Sequence, residues 1–496
     1  MDYPLLIGVL AYELVVIVGL GVWLQRRHSV QAKDEFALAG RDLPVPVVAV
    51  TLALTVLGTA HILGVFEMTW MMGAVAVWFS IAHVILLTFV CLGTGVWVRR
   101  LGVITVPELL NRTSGLETRL LVSCVMAGVL FGVLTVEAQG IGIIFATLTD
   151  WNIQTGAIVG GVLGILYVIF AGMREIGWVN LVNATVMYAG LILATVFIAF
   201  SLPEGGYAAI GEYYRSTDQS SAISIWGTPE LMVNFAIVNI VAVVFSQSVS
   251  QMLLQPAMSA KSEKTIKQAL WIAAPINGLF GVFAVVLALA ARAQPEYAAL
   301  DDAPKIGAAT MLVETLPPWL GAILLASFLA AILSTFAIIC LSIATIFAKD
   351  IFQALYVPNA SENTMKMVIR IVIIIVASIA IAVASLLPPI LAAMIWLFAW
   401  LVPVFCILMS GILWKRHQGV AITTLIVAWI ANAAWSFSAL PQALGFESAG
   451  SYNAYVTAIV SMIMICIGNL AVRGRPGLFC ENGLPANADS SRQGAI

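Results

Sequence analysis

The chain has 496 residues, of which 61% are hydrophobic and only 10% charged, with a net charge of −2. A soluble chain carries about 25% charged residues, so this composition excludes a water-soluble enzyme and implies a protein that crosses a membrane many times. The near-neutral balance and the lack of any basic stripe argue against a nucleic-acid partner.

The N-terminus, Met1-Asp2-Tyr3-Pro4, has no basic region and no small-residue cleavage site. The first apolar segment is therefore expected to be a retained helix, not a signal peptide. Five of the six cysteines lie inside apolar segments and none forms a CxxC or CxxH pattern, so neither a disulfide framework nor a structural metal site is expected. No Walker A motif is present to couple the protein to ATP.

Apolar runs of spanning length predict thirteen membrane helices, at 4–24, 44–72, 75–98, 119–148, 154–171, 178–200, 229–254, 269–291, 320–347, 367–386, 389–413, 420–437 and 453–472. With the N-terminus outside, twenty of the 23 basic residues fall on the inner side, leaving only Arg215, Arg292 and Lys305 outside. This asymmetry implies an odd number of crossings and a cytoplasmic C-terminus in a plasma or bacterial inner membrane.

The second segment carries Thr55-Val56-Leu57-Gly58-Thr59-Ala60-His61 in its middle. Glycine lets a helix open, and an opened backbone at bilayer depth needs protein or a water-filled cavity around it. The seventh segment ends in Phe245-Ser246-Gln247-Ser248-Val249-Ser250-Gln251, too polar to face lipid. Two interrupted helices five apart are what an inverted five-plus-five repeat predicts, with a binding site where the repeats face each other. The chain then divides into the first helix and its loop (1–43), a first repeat (44–200), an outer loop (201–228), a second repeat (229–413), two further helices (414–472) and a disordered tail (473–496). The outer loops 201–228 and 292–319 are expected to form short caps over the cavity.

The ninth segment holds the hydroxyl pair Ser334-Thr335. Hydroxyls and freed carbonyls together can cage a small hard cation, which needs several oxygens at once. The same pair can also simply bond back to the preceding turn.

At this point the sequence resembles the sodium:solute symporter family. The resemblance rests on six short stretches in order: Asp34–Pro44, Ile104–Leu110, Ala138-Gln139, Ala171–Asn180, Gln255–Lys264 and Leu325–Thr335, the last running on to Ala348–Phe352. It implies an all-α, LeuT-type fold and a sodium site made of Leu54, Leu57, Ala331, Ser334 and Thr335. Sodium would be the coupling ion, with no other cofactor. Some members carry an Asp before the break; that position is Val56 here. The second sodium site of some members falls on Ala337, Ile338 and Asn180, so a second sodium is not expected.

Candidate solute contacts are Gly58, Thr59 and His61 at the first break, Glu137 and Gln139 in the fourth helix, and Ser246, Gln247, Ser250 and Gln251 in the seventh. Glu137 is the sharpest of these, because a carboxylate at membrane depth is costly and usually functional. It suits a solute with a cationic or amide group. Trp396 and Trp400 are expected as an aromatic gate, with packing as the competing reading. Arg174 and Asn180 are expected to organise an inner gate.

The expected function is sodium-coupled symport of a small polar solute across the bilayer by alternating access. One alternative is proton coupling, or uncoupled transport, through Glu137 or His61. Another is a membrane solute sensor. Catalysis is not expected, as no nucleophile–base pair is evident.

Overall fold

A computed structural model describes residues 3–19, 23, 35–149, 151–170, 172–202, 205–386, 390–446 and 452–482. The loop carrying Arg26, Arg27 and Lys33, together with Asp34, Ala171 and residues 483–496, lies outside the described residues.

By length and composition, ten stretches among the described residues are long and apolar enough to cross a membrane. Among the described residues thirteen apolar helices run in chain order. They are α1 (Tyr3–Leu14), the broken α2, α3 (Val77–Phe89, continued through Gly95–Leu101), α4 (Leu116–Leu148), α5 (Ile153–Phe170) and α6 (Met173–Ser201), then the broken α7, α8 (Glu263–Arg292), α9 (Pro318–Ile346), α10 (Glu362–Val383), the interrupted α11, α12 (Gln418–Phe437) and α13 (Asn453–Ala471). α2 consists of α2a (Val45–Val56) and α2b (Thr59–Ile62, carried on by Gly64–Met72). α7 consists of α7a (Val238–Gln247) and α7b (Gln251–Met258), and α11 of Ile390–Ala399 and Val402–Leu413. Both expected breaks are present.

Packing sorts the core into two groups. α8 lies against α2a and α3, and α3 against α7a; α4 lies against α5 and α9, and α10 against α5 and α9. The groups are therefore α2, α3, α7, α8 and α4, α5, α9, α10, and each pairs helices five apart in the chain. α9 is buried almost throughout, as a helix surrounded by other helices must be, and reads as apolar all round. α12 and α13 pack on each other beside α11.

The outer connections form helices Tyr207–Ser216 and Ala303–Thr315. Gly307 lies beneath the Trp70 ring, where a Cβ would come within 2.6 Å. Gly73 turns the chain out of α2b with a φ of +78°, and a Cβ there would lie 2.4 Å from the Ala222 carbonyl. The connections thus buttress the C-terminal half of α2.

The expectation of a disordered tail from 473 is corrected. Arg475–Pro476 pairs antiparallel with Lys415–Arg416, and Leu478–Asn482 is helical. Backbone pairing with the α11–α12 turn gives this polar segment an order that its composition did not suggest.

Candidate ion and solute site

The α2 break exposes backbone groups that a continuous helix would pair internally, and in a membrane each must find a partner. Leu57 (φ −96°, ψ 51°) and Gly58 (φ −94°, ψ −154°) leave the helical conformation. Three side chains take over. The Thr335 hydroxyl donates to the Leu54 carbonyl at 2.8 Å, the His61 Nδ1–H to the Val56 carbonyl at 2.7 Å, and the Thr59 N–H donates to Glu137 Oε2 at 2.8 Å.

Thr335 also lies 3.1 Å from the Ala331 carbonyl, so one hydroxyl links α2a to α9. Leu54, Ala331 and Thr335 are therefore brought together, with Leu57 at the break itself. Ser334 turns the other way and donates to Asn180 Oδ1 on α6. Asn180 was expected at an inner gate; it is instead fully buried against the hydroxyl pair. The donors gathered at the break are all oxygen: the Leu54 and Ala331 carbonyls and the Thr335 hydroxyl. They suit a hard monovalent or divalent cation and not a thiophilic metal. Among the described residues no three His, Cys, Asp or Glu side chains gather to hold a metal.

On the opposite side of the break, α4 presents Glu137 and Gly140 one turn apart. A Cβ on Gly58 would lie 2.5 Å from Glu137 Oε1, and one on Gly140 would lie 2.0 Å from Thr59 Oγ1. The two glycines let the break and α4 approach to contact, and Glu137 caps the positive end of α2b across that contact.

His61 is fully buried. Its ring stacks edge-on against His83 at 4.3 Å and near Phe79 at 4.8 Å. It helps to close the break and does not line the cavity described next. His83, which donates from Nδ1 to the Phe79 carbonyl at 2.8 Å, does line it and was missed by sequence reasoning.

A narrow cavity of about 20 Å³ lies between the two groups of helices. Its walls include Gly58, Glu137, Thr335 and Gln247, closed by Met394 and Phe398. Gln247 keeps its Oε1 unpartnered, as do the hydroxyls of Ser248 and Ser250 at the α7 break. Ser246 is buried beside Gln247 and accepts from its Nε2 at 3.4 Å. Gln139 stands two residues beyond Glu137, on nearly the opposite side of α4, and does not line the cavity.

Two expectations are corrected. Gln251 holds the α3–α4 connection, not solute: its Oε1 accepts from the Val106 N–H at 2.9 Å and its Nε2 donates to the Ile104 carbonyl at 3.1 Å. Trp396 and Trp400 are not among the described residues that line the cavity. Trp396 donates to Ser436 on α12 at 3.1 Å, and the Trp400 backbone carbonyl accepts from Trp429 at 2.8 Å. Helical spacing puts residues two apart on different faces, so Met394 and Phe398 take the inward face.

On the face rich in basic residues, ion pairs join segments distant in the chain. Asp350 is fully buried, accepting from the Thr105 hydroxyl and from Arg119 Nε, both at 2.8 Å. Arg100 forks onto Glu263 at 2.8 and 2.6 Å, and Arg174 meets Glu35 at 2.6 Å. The Arg174 ion pair ties the segment before α2 to α6. Asp350 lay in a stretch already matched to the family, but nothing in the sequence named its partner.

Two broken helices packed in one core, with oxygen donors gathered at one break, are the scaffold of a secondary transporter. A family model for the sodium:solute symporter family matches residues 36–427, and the chain belongs to that family. It is 24% identical over 363 residues to the uncharacterized symporter YidK of Escherichia coli (strain K12), covering 70% of this chain and 63% of that protein. It is 21% identical over 395 residues to the sodium/glucose cotransporter of Vibrio parahaemolyticus, covering 73% and 72%. Among solved structures, a Na+-coupled sialic acid symporter in a substrate-bound, outward-open state superposes with a TM-score of 0.81 at 17% identity, covering 96% of this chain and 99% of that one. The likeness establishes the LeuT-type fold.

Proposed function

We propose that this protein carries a small polar solute across the membrane together with sodium, by alternating access. The carrying observation is the Thr335 hydroxyl, which joins Leu54 of the broken helix to Ala331 of α9. A cation held by these oxygens would replace the direct hydrogen bond and fix α2a against α9. Membership of a sodium-coupled family supports sodium as that cation.

The solute would sit beside the break, against Gly58, Glu137 and Gln247. Glu137 is the single carboxylate lining the cavity, and Phe79 and Phe398 supply aromatic faces. A carboxylate and aromatic rings together favour a solute with a cationic or amide head. The contacts among Asp350, Arg119 and Thr105 would form the inner gate, broken as the protein opens to the cytoplasm. The basic face would be cytoplasmic.

A second reading has one observation in its favour. Glu137 touches the break itself and could carry a coupling proton in place of sodium. Reconstituted protein distinguishes the two. A sodium gradient that drives uptake in wild type and fails in Thr335→Ala supports sodium coupling. Uptake driven by a pH gradient alone, without sodium and lost in Glu137→Gln, would overturn it.

A further inference from the structure

A second site lies far from the breaks, on the basic face. A groove of about 450 Å³ runs between the connection 111–115, the α11–α12 turn and the segment after α13. Four guanidinium side chains line it, from Arg112, Arg416, Arg473 and Arg475, and no carboxylate does among the described residues. Arg112 is balanced in part by Glu108, 3.3 Å away. Arg473 and Arg475 are exposed and make no ion pair among the described residues.

The short strand pair makes this crowding deliberate. Its register sets Arg416 directly opposite Arg475. Like charges facing each other across a ladder repel; the Arg416 Nε also donates to the Pro476 carbonyl at 2.7 Å, so the charge left for an anion is that of Arg473 and Arg475. Two long helices add to the field: α4 begins after Gly115 and α12 after His417, both on the groove wall, and helix N-termini favour negative charge.

Apolar side chains continue the surface. Leu413 (53% exposed) and Trp414 precede Lys415-Arg416, and Leu470 (78% exposed) precedes Arg473. A ligand lying along both would be apolar at one end and anionic at the other.

We propose that this groove binds a phosphate group, presented by an anionic phospholipid of the adjoining leaflet. Arginine forks match phosphate oxygens in pairs, and basic pockets between membrane helices on the cytoplasmic side hold acidic headgroups. The groove spans the start of α4, which carries Glu137, and the flanking helices α11 to α13, so the lipid ties the transport core to its flank.

The test uses the full chain in nanodiscs of phosphatidylcholine alone or with phosphatidylglycerol, read by melting temperature and by native mass spectrometry of retained lipid. Phosphatidylglycerol is expected to raise the melting temperature and to stay bound. Arg473→Gln/Arg475→Gln should lose most of both effects, whereas Lys264→Gln/Lys267→Gln, which removes two exposed charges from the same face, should keep them. Stabilisation by inorganic phosphate without any preference for phosphatidylglycerol, lost in the arginine variant, upholds the phosphate site and overturns the lipid as its source. An undiminished response in the arginine variant, an equal loss in both variants, or no response to either phosphate probe overturns the site.

Discussion

Glu137 and Thr59 are 78 positions apart, yet the Glu137 carboxylate accepts the first free N–H of α2b at 2.8 Å. A helix interrupted inside a membrane leaves a positive end with no water to meet it. Here another helix supplies the cap. Glu137 is thus first a structural partner of the break.

Glu137→Ala removes the cap and leaves a buried N–H unpaired, which costs about 1–3 kcal/mol. Glu137→Gln keeps an acceptor oxygen and should cost less. Thermal unfolding of the two variants, in sodium, checks the order. Equal losses would show that the negative charge, not the acceptor, holds the break.

Gly58→Ala should be far more damaging than an ordinary helix-end substitution, because its Cβ would lie 2.5 Å from Glu137 Oε1 and 2.8 Å from Glu137 Cδ. Loss of both folding yield and uptake is expected. Gly58→Ala/Glu137→Ala removes the clash and should recover part of the folding yield. A strictly additive double mutant would mean that the two residues do not couple.

Thr335→Ser retains the hydroxyl that reaches Leu54, while Thr335→Ala deletes it. A cation bound only by the folded state raises its stability by mass action. Replacing potassium chloride by sodium chloride should raise the melting temperature of wild type and Thr335→Ser, and leave Thr335→Ala unmoved. Ser334→Ala tests whether the bond to Asn180 matters to the same response.

Arg119→Gln strands Asp350, whose side chain is fully buried, without its cation. Removing one partner of a buried ion pair costs about 3–5 kcal/mol. The prediction is a large fall in stability together with faster labelling, from the basic side, of a cysteine placed at Met252. Asp350→Asn should open the same side with a smaller loss of stability, because no bare carboxylate remains. Unchanged labelling in both would remove this contact from the gate.

Much of the architecture was legible because bilayer rules act locally. Spanning length, apolar runs and basic asymmetry gave thirteen helices, and Gly58 and the Ser246–Gln251 run marked both breaks. The hydroxyl pair was visible as a pattern, yet only Thr335 reaches Leu54, while Ser334 turns to Asn180. The roles of Gln251, Trp396 and Trp400 were misread for one reason. A polar or aromatic residue in an apolar helix announces that it needs a partner, but not which neighbouring helix provides it.

By itself, the sequence determined where the apolar helices run, where two of them open and where the hydroxyl pair stands. Each follows from hydropathy and backbone freedom within a few residues. Only the tertiary structure decided that Glu137 caps α2b, that His61 meets Val56, that Met394 and Phe398 close the cavity, and that Arg416 faces Arg475. Those pairings depend on how helices distant in the chain rotate against one another. The rotation is set by close contacts such as Gly58 on Glu137 and Gly140 on Thr59, which no local pattern encodes.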